Sequence, residues 1–341
     1  MGAKRLILGL AALCLLWLTG CSRGETVTRT DFALDTVVTI TLYDQEDSTA
    51  LNEAFEELRR LDGMLSAYDE GSEISAVNRA AGQTPVAVSA ETLAVVQQGL
   101  AYGEKTGGAF DITIGPLADL WNIGENTTVP EAPAIEAARA LVDYRQVTVD
   151  AENSTIYLKT PGMKLNLGAV AKGYIGQKLK DFLVERGVQH GIINLGGNVV
   201  LIGDKTDGQP FNVGVEDPDD TQSTVGVLGL SDCAAVTSGD YQRYFIGEDG
   251  RRYHHILDPR TGYPAASGLR QVTIVAQDST EADILSTACF ILGLEEGQRL
   301  LESTSASEAV FVTTEHEIYD TREAGAFRFN QENTAYRMGG Q

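Results

Sequence analysis

The densest group of chemically active side chains in the sequence lies in the short run of residues 254–262. His254 and His255 are followed by Ile-Leu and then by Asp258-Pro259-Arg260-Thr261-Gly262. A histidine can act as a general base near neutral pH, because its ordinary pKa lies close to neutrality. Asp-Pro-Arg-Thr-Gly is also common turn chemistry. The run alone therefore leaves two interpretations open, a catalytic base at His255 or a plain loop.

A second candidate is the pair Asp283 and Thr287, which stand four residues apart in the segment Ser279–Leu292. Side chains four apart lie on the same face of a helix, so their oxygens can converge on one point. Such oxygens suit Mg²⁺, a hard cation. The alternative is a capping box formed by Thr280 and Asp283, which would leave the carboxylate serving the first helical turn. The local pattern alone favours the cap.

Two glycine-containing segments could bring the backbone close to a ligand. Asn166–Gly173 opens a predicted helix and includes Lys172. The free N–H groups of a helix start and a lysine both favour an anion such as phosphate, although the spacing of a P-loop is absent. Gly107–Asp111 places a double glycine beside a phenylalanine and an aspartate, which allows close backbone approach. Each segment also fits an ordinary helix start or turn.

The elements that must position these residues do not alternate strictly between helix and strand. Apolar spacing predicts four helices, at Leu51–Leu65, Ser89–Lys105, Ala169–Arg186 and Ser279–Leu292. Alternating or β-branched runs predict strands at Phe32–Leu42, Gly191–Leu195, Val199–Ile202, Phe211–Val215, Val225–Leu230, Tyr241–Ile246, Gln271–Val275, Ala309–Thr313 and Glu317–Tyr319. This order is typical of an α+β fold. We predict one large domain with mixed, mainly antiparallel strands and several packed helices.

Composition excludes some classes of partner. The 341 residues include 26 Lys and Arg against 48 Asp and Glu, a formal net charge of −22. Nucleic acid calls for a basic surface, so this chain is not expected to bind it. Adhesion to anionic lipid through a basic face is disfavoured for the same reason. A hydrophobic content of 43% is that of a globular protein.

The first twenty residues have the pattern of an export signal. Lys4 and Arg5 precede the apolar run Leu6–Leu18, which is shorter than the ~20 residues that a membrane-spanning helix needs. Leu18-Thr19-Gly20-Cys21 then resembles a bacterial lipobox. The resemblance implies cleavage before Cys21, a diacylglycerol on its thiol and an extracytoplasmic, lipid-anchored location. The alternative is an ordinary secretory signal.

Domain boundaries follow from this pattern. We predict a signal peptide at residues 1–20, a lipidated cysteine and tether at 21–30, the domain at 31–325 and a C-terminal tail at 326–341. Loss of Lys4 and Arg5 with the signal would leave 24 basic against 48 acidic residues, a mature charge of −24. Cys233 and Cys289 each lie in an apolar stretch, which favours two buried thiols over a bridge.

Taken in order, several segments resemble the ApbE family of FAD:protein FMN transferases, from about residue 31 to 311. The matching stretches are Leu34-Asp35-Thr36, Leu65-Ser66-Ala67-Tyr68, Ser72-Glu73-Ile74 with Asn78, Gly108-Ala109-Phe110-Asp111-Ile112-Thr113, Gly115-Pro116-Leu117 with Trp121, Leu167-Gly168-x-x-Ala171-Lys172-Gly173-Tyr174, Asn194-Leu195-Gly196-Gly197-Asn198, Thr237-Ser238-Gly239-Asp240-Tyr241, His255 through Pro264, and Ala282-Asp283-x-x-Ser286-Thr287. The resemblance is specific because so many stretches match in the same order. Exported lipoproteins are common in this family.

The resemblance implies a reaction. FAD is cleaved at its pyrophosphate, FMN is transferred through its phosphate to a Ser or Thr hydroxyl of an acceptor protein, and AMP leaves. Mg²⁺ would neutralise charge on the pyrophosphate. By position in the family motifs, the expected FAD contacts are Leu34, Tyr68, Ala109, Phe110, Asp111, Asn166, Lys172 and Leu257. The expected Mg²⁺ ligands are the Ala169 carbonyl, Asp283 and Thr287, and His255 is expected to help deprotonate the acceptor hydroxyl.

Two positions depart from the family pattern. Asn166 stands where many members have Asp, and Ser286 where some have a second carboxylate at the metal site. The second departure predicts weaker metal affinity. An exported FAD pyrophosphatase and a flavin-binding lipoprotein remain as alternatives. The resemblance implies an acceptor that is a subunit of a membrane redox complex or an extracytoplasmic flavoprotein with a short Ser/Thr motif.

Overall fold

Seventeen strands and eight α-helices lie in the part of the chain that the computed structural model describes, which is residues 26–45, 48–304, 308–321 and 327–340. The strands are β1 Val27–Ala33, β2 Thr36–Leu42, β3 Val86–Ala87, β4 Val147–Asp150, β5 Thr155–Leu158, β6 Gly191–Leu195, β7 Asn198–Ile202, β8 Phe211–Glu216, β9 Thr224–Leu230, β10 Ala234–Gly239, β11 Tyr244–Ile246, β12 Arg252–His254, β13 Leu269–Ala276, β14 Glu308–Thr313, β15 Glu317–Asp320, β16 Phe327–Phe329 and β17 Arg337–Met338. The helices are α1 Thr49–Leu65, α2 Glu73–Arg79, α3 Ala90–Lys105, α4 Gly115–Trp121, α5 Ala132–Arg139, α6 Ala171–Glu185, α7 Ser279–Leu292 and α8 Leu294–Glu302.

A nine-stranded sheet in the order β1-β2-β6-β7-β10-β13-β14-β15-β17 carries the fold. Its neighbouring strands are antiparallel except for the parallel pair β15 and β17. Helices α6 and α7 pack on one face over the main core, with α1 against α6. The small sheet β16-β9-β8 covers part of the other face through a second core. The predicted α+β class with mainly antiparallel strands is confirmed.

All four predicted helices are present, and Ala169–Arg186 contains α6. Leu51–Leu65 lies within α1, Ser279–Leu292 coincides with α7, and Ser89 caps α3 by accepting a hydrogen bond from the Thr92 N–H. The predicted single strand Phe32–Leu42 is wrong, because the chain reverses at Leu34 and Asp35 to form the β1–β2 hairpin. Both turn residues have positive φ angles, 54° and 55°, a conformation that such turns usually give to Asn or Gly.

The described ends of the chain are part of the fold. Strand β1 begins at Val27, inside the segment predicted as a tether, and pairs with β2 along its whole length. The predicted tail contributes β16 and β17, and the Tyr336 hydroxyl is buried and donates to Asp217 Oδ1 at 2.7 Å. Residues 327–340 therefore belong to the domain. The predicted signal peptide and Cys21 lie outside the described residues.

None of the helices in the described residues combines the length and the apolar character needed to cross a membrane. Cys289 lies in the main core and Cys233 in the second core, so the two buried thiols are not bridged to each other.

Candidate functional site

The carboxylate of Asp283 bonds to residues of other elements and does not cap α7. The N-cap of α7 is Asp278, whose carboxylate accepts hydrogen bonds from the N–H groups of Thr280 and Glu281. Asp283 lies one turn further along and is 4% exposed. Its Oδ2 accepts from the Gly173 N–H at 2.8 Å, and its Oδ1 from the Asn198 amide at 3.1 Å. The capping-box interpretation is therefore wrong.

The first turn of α6 leaves one carbonyl without a partner. In a regular helix the Gly173 N–H would bond to the carbonyl of Ala169, but here it donates to Asp283 instead. The neighbouring bonds, from Ala171 to Leu167 and from Tyr174 to Val170, are present. Within the described part of the chain, the Ala169 carbonyl accepts no hydrogen bond. An oxygen acceptor is thus left open beside a buried carboxylate.

Close packing of two helices makes this arrangement possible. A Cβ atom at Gly173 would overlap with the carbonyl oxygen of Ser279 and with the Cβ atom of Asp283. Only glycine lets α6 approach α7 closely enough for the Asp283 carboxylate to reach the helix backbone. The sequence showed this glycine within a motif but gave no sign of the contact, because Asp283 is 110 residues away.

Thr287 extends the same face of α7 toward β10. Its hydroxyl lies 3.2 Å from the Ser238 hydroxyl, which in turn lies 2.8 Å from that of Ser286. Ser286 is fully buried and donates to the carbonyl of Asp283 at 2.9 Å. The residue that replaces the second carboxylate of some relatives thus bonds to the helix backbone and to β10. It adds no negative charge to the site.

Lys172 supplies positive charge beside this face. Its ammonium opposes the rise that burial causes in the pKa of Asp283, and it also acts on His255. Its Nζ makes no hydrogen bond or ion pair with any other described residue. Most basic side chains in the described ranges are paired with carboxylates, for example Arg60 with Glu57 and Glu91. Lys172 is therefore available to an anionic ligand.

The two adjacent histidines have different environments. His254 is buried, with its Nδ1 accepting from the Ile256 N–H at 3.3 Å and its Nε2 3.1 Å from the Ala265 carbonyl. It is a satisfied structural histidine. His255 is exposed, and its N–H donates to the carbonyl of Arg243 at 3.1 Å. Of the pair, only His255 presents its ring to a ligand.

The surroundings of His255 keep its ring neutral. Although the side chain is exposed, the surrounding protein reduces the hydration of a charged ring. This desolvation, followed by the neighbouring His254 ring and the positive charges of Arg243 and Lys172, lowers the pKa of His255 to about 3. The ring is therefore unprotonated at neutral pH in the protein without a ligand. A general base works best with a pKa near the working pH, and an anionic ligand beside the ring would raise this pKa toward that range.

We expect the His255 ring protons to show no titration between pH 8 and pH 5 in NMR spectra of the protein without FAD. An unperturbed histidine would titrate near a pKa of about 6.5. Because the folded state holds this pKa below its unfolded value, the unfolded state binds more protons in that window, and acidification from pH 6.5 destabilises the fold. Comparison with His255→Gln assigns the resonance. A midpoint near 6.5 would contradict this account.

An ion-pair network holds the segment that carries His255. Arg252 on β12 donates to Asp240 at 2.9 Å, and Arg270 on β13 donates to the same oxygen at 3.0 Å. Asp240 directly follows β10, the strand that carries Ser238. The network therefore ties the hairpin of His255 to the strand that faces Thr287.

The remaining rim of the site comes from distant parts of the chain. Arg243 donates to the carbonyl of Asp35 at 3.4 Å, so the strained turn at Leu34 lies against the segment of His255. Tyr68 is 66% exposed, and its hydroxyl accepts from the Asn166 amide at 3.1 Å. An aspartate at position 166 could not donate this bond. An aspartate there would instead accept a hydrogen bond from the Tyr68 hydroxyl.

Four of the predicted FAD contacts are buried in the structure. Ala109, Phe110 and Leu257 are 0%, 2% and 6% exposed. Both carboxylate oxygens of Asp111 are occupied, Oδ1 by the N–H and hydroxyl of Thr113 and Oδ2 by the Tyr144 N–H. The assignment of these four to FAD stays a prediction, and binding would have to uncover them. Leu34, Tyr68, Asn166 and Lys172 are accessible in part.

The groups around Asp283 determine which metal ion could bind there. Among the described residues, no three His, Cys, Asp or Glu side chains gather as metal ligands. The Asp283 carboxylate lies beside the first turn of α6, where the Ala169 carbonyl is, and the Thr287 hydroxyl lies one turn further along α7. All three are oxygen donors of the kind that Mg²⁺ prefers. The residues present fit that ion. Two contacts of the site do not follow from local spacing and were not predicted. The Asn198 amide donates a hydrogen bond to Asp283, and Arg243 lies beside His255.

Comparisons with known sequences all point to one family. A model of the ApbE family matches residues 34–311. The chain is 38% identical over 284 residues to the FAD:protein FMN transferase of Klebsiella pneumoniae, covering 82% of this chain and 87% of that protein. It is 36% identical over 312 residues to the enzyme of that name from Treponema pallidum, covering 86% of each.

Solved structures of ApbE proteins have the same fold as this chain. The ApbE protein of Thermotoga maritima superposes with a TM-score of 0.78 at 33% identity, covering 90% of this chain and 98% of that one. The flavin transferase ApbE from Vibrio cholerae gives 0.77 at 28% identity, covering 90% and 96%.

Proposed function

This chain belongs to the ApbE family, and on that premise we propose that it is an FAD:protein FMN transferase. It transfers FMN from FAD to a hydroxyl group of an acceptor protein and releases AMP. The observation that carries the proposal is the position of Lys172, which acts electrostatically on both the buried Asp283 carboxylate and the exposed His255 and has no ion-pair partner among the described residues. The site thus combines groups that can neutralise a pyrophosphate with a base that can activate a hydroxyl.

The reaction needs little covalent chemistry from the protein. The acceptor oxygen attacks the phosphorus of the FMN half, the bond from that phosphorus to the bridging oxygen breaks, and AMP takes that oxygen. His255 accepts the proton of the acceptor hydroxyl, which is a weak nucleophile at its free pKa. Lys172 and the N-terminus of α6 stabilise the negative charge of the phosphates.

We propose Mg²⁺ as the metal and Asp283, Thr287 and the Ala169 carbonyl as its protein ligands. Bound there, the ion would neutralise charge on pyrophosphate oxygens. A divalent cation would also favour the ionised form of Asp283, against the burial that raises the pKa of this group. With Ser286 in place of a second carboxylate, weak affinity for the ion is expected.

The accessible parts of Leu34, Tyr68, Asn166 and Lys172 are proposed to contact FAD first. The Tyr68 ring is exposed at the rim and could cover a flavin or adenine face. Ala109, Phe110, Asp111 and Leu257 are proposed to follow once the ligand has displaced the residues that cover them.

Location and acceptor type are proposed on the sequence alone. The lipobox-like Leu18-Thr19-Gly20-Cys21 supports a lipid anchor at Cys21 and an extracytoplasmic site of action. An acceptor of that compartment, such as a membrane redox-complex subunit or an exported flavoprotein, would fit this location.

Hydrolysis of FAD is the competing activity, because the accessible ring of His255 could also activate water. The test is to incubate the protein with FAD and Mg²⁺, with and without an acceptor domain, and to measure the acceptor mass and the release of AMP and FMN. The proposal expects acceptor heavier by one FMN unit and little free FMN. Free FMN at the same rate without an acceptor would favour a pyrophosphatase, and FAD binding without AMP would favour a flavin-binding lipoprotein.

A further inference from the structure

Strand β11 has an open edge next to the site. Hydrogen bonds join His255 to Arg243 and Gly247 to Arg251 across the β11–β12 hairpin. In an antiparallel pair, alternate residues point their backbone groups away from the partner strand. The N–H and C=O groups of Tyr244 and Ile246 therefore face outward. In the described part of the chain, no other residue hydrogen-bonds to these four groups.

This edge is apolar and firmly supported. Tyr244 and Ile246 are 42% and 56% exposed. Between them, Phe245 is buried and stacks on Tyr253, with ring centroids 5.3 Å apart. The guanidinium of Arg252 lies over the Tyr244 ring at 4.4 Å. An exposed, well-ordered strand edge is a template for another strand, and here its geometry is fixed in advance.

The edge of β11 also adjoins the segment that carries His255. Arg243, the residue before β11, accepts the hydrogen bond of His255 through its carbonyl. Its exposed guanidinium forms no ion pair among the described residues and bonds only to the carbonyl of Asp35. A polypeptide that pairs with β11 would lie about 4.8 Å from it, on the side away from β12. Its continuation past Arg243 would lead to the end of the hairpin where His255 lies.

We infer that β11 is the docking strand for the acceptor protein, an inference that rests on the proposed function. An extended acceptor segment adds to the β11–β12 hairpin as a third strand. Backbone hydrogen bonds go to Tyr244 and Ile246, as in other cases of strand addition. Apolar side chains of the acceptor cover these two residues at alternate positions. The hydroxyl to be modified follows the paired segment, where the acceptor chain continues past Arg243 and reaches His255. The mode recognises an extended backbone, so one enzyme can accept different proteins.

The test is the substitution Ile246→Pro. Proline removes the outward N–H and places its ring in the path of an added strand, but leaves the bonds between β11 and β12 intact. We expect the KM for an acceptor domain to rise about tenfold or more, with the dissociation constant for FAD, measured by flavin fluorescence, unchanged. The matched control Ile246→Val keeps the N–H and should behave as the wild type.

An unchanged KM in a folded Ile246→Pro variant would overturn the inference, while transfer by the wild type would still support the proposed function. Absence of transfer by the wild type would instead remove the function itself. If Ile246→Pro does not fold, acceptor peptides N-methylated at alternate positions give the answer, since only one of the two sets should lose activity. Full activity of both sets of N-methylated peptides would contradict acceptor docking. The same holds if Ile246→Pro converts a wild-type dimer to a monomer without a change in KM.

Discussion

Substitution Asp283→Asn is expected to lower kcat/KM for FMN transfer by a factor on the order of 10²–10³. Asparagine has nearly the same size, and its one oxygen can still accept the hydrogen bond of the Gly173 N–H. Its amide nitrogen then donates to Asn198, whose side-chain amide turns over to present its oxygen. The substitution removes the negative charge from the set of oxygen donors beside Ala169 and Thr287. The loss should therefore affect binding of Mg²⁺ and the rate of transfer, with little effect on packing.

The matched control is Asp278→Asn. It removes the same charge from the same helix, and asparagine is as good an N-cap as aspartate. Transfer by this variant should equal that of the wild type. Thermal unfolding should show both variants folded, since Asp283→Asn replaces a buried carboxylate whose pKa burial raises. A folded Asp283→Asn variant with activity within about threefold of the wild type would refute the role of this carboxylate.

Substitution His255→Gln is expected to reduce the rate of transfer by a factor on the order of 10²–10⁴, the usual contribution of a positioned general base. Glutamine retains polarity but accepts no proton at neutral pH. The dissociation constant for FAD should stay within a few-fold, because the proposed contacts of the phosphates are Lys172 and the start of α6. Single-turnover measurements with saturating FAD would separate the two effects.

The control for this variant is His316→Asn. His316 lies at the surface with a positive φ angle of 59°, which asparagine tolerates, and its Nε2 bonds to Oδ2 of Asp219. The other oxygen of Asp219 receives Arg270 directly, so the ion-pair network does not depend on His316. Its replacement should leave transfer unchanged. Equal loss of FAD binding and of transfer in His255→Gln would indicate a binding role for this histidine and would contradict its assignment as the base.

The predictable part of the fold was the part with strong local periodicity. Helices α1, α3, α6 and α7 follow from apolar spacing and from a serine cap. Short helices such as α2, α4 and α5 give too few turns for a periodic pattern. The turn at Leu34 and Asp35 was missed because leucine is unfavourable at positive φ, and only tertiary contacts, such as the bond from the Leu34 N–H to Asp62, hold it there.

The candidate site shows the same limit. His255, Lys172 and Asp283 could be named from the sequence, but their relation could not. The pattern around Thr280 and Asp283 fits a capping box equally well, and only the approach of Gly173 from another helix decides against it. Likewise, the burial of Ala109 and Phe110 depends on the main core, which no local motif describes.

The central claim is that this site transfers FMN to a protein hydroxyl. The most direct measurement is the intact mass of an acceptor domain after incubation with this protein and FAD, with Mg²⁺ and with a chelator in its place. The account predicts an acceptor heavier by one FMN unit, with an equal amount of AMP, in the presence of Mg²⁺ only. An unmodified acceptor in both samples, with FAD bound or hydrolysed, would contradict it.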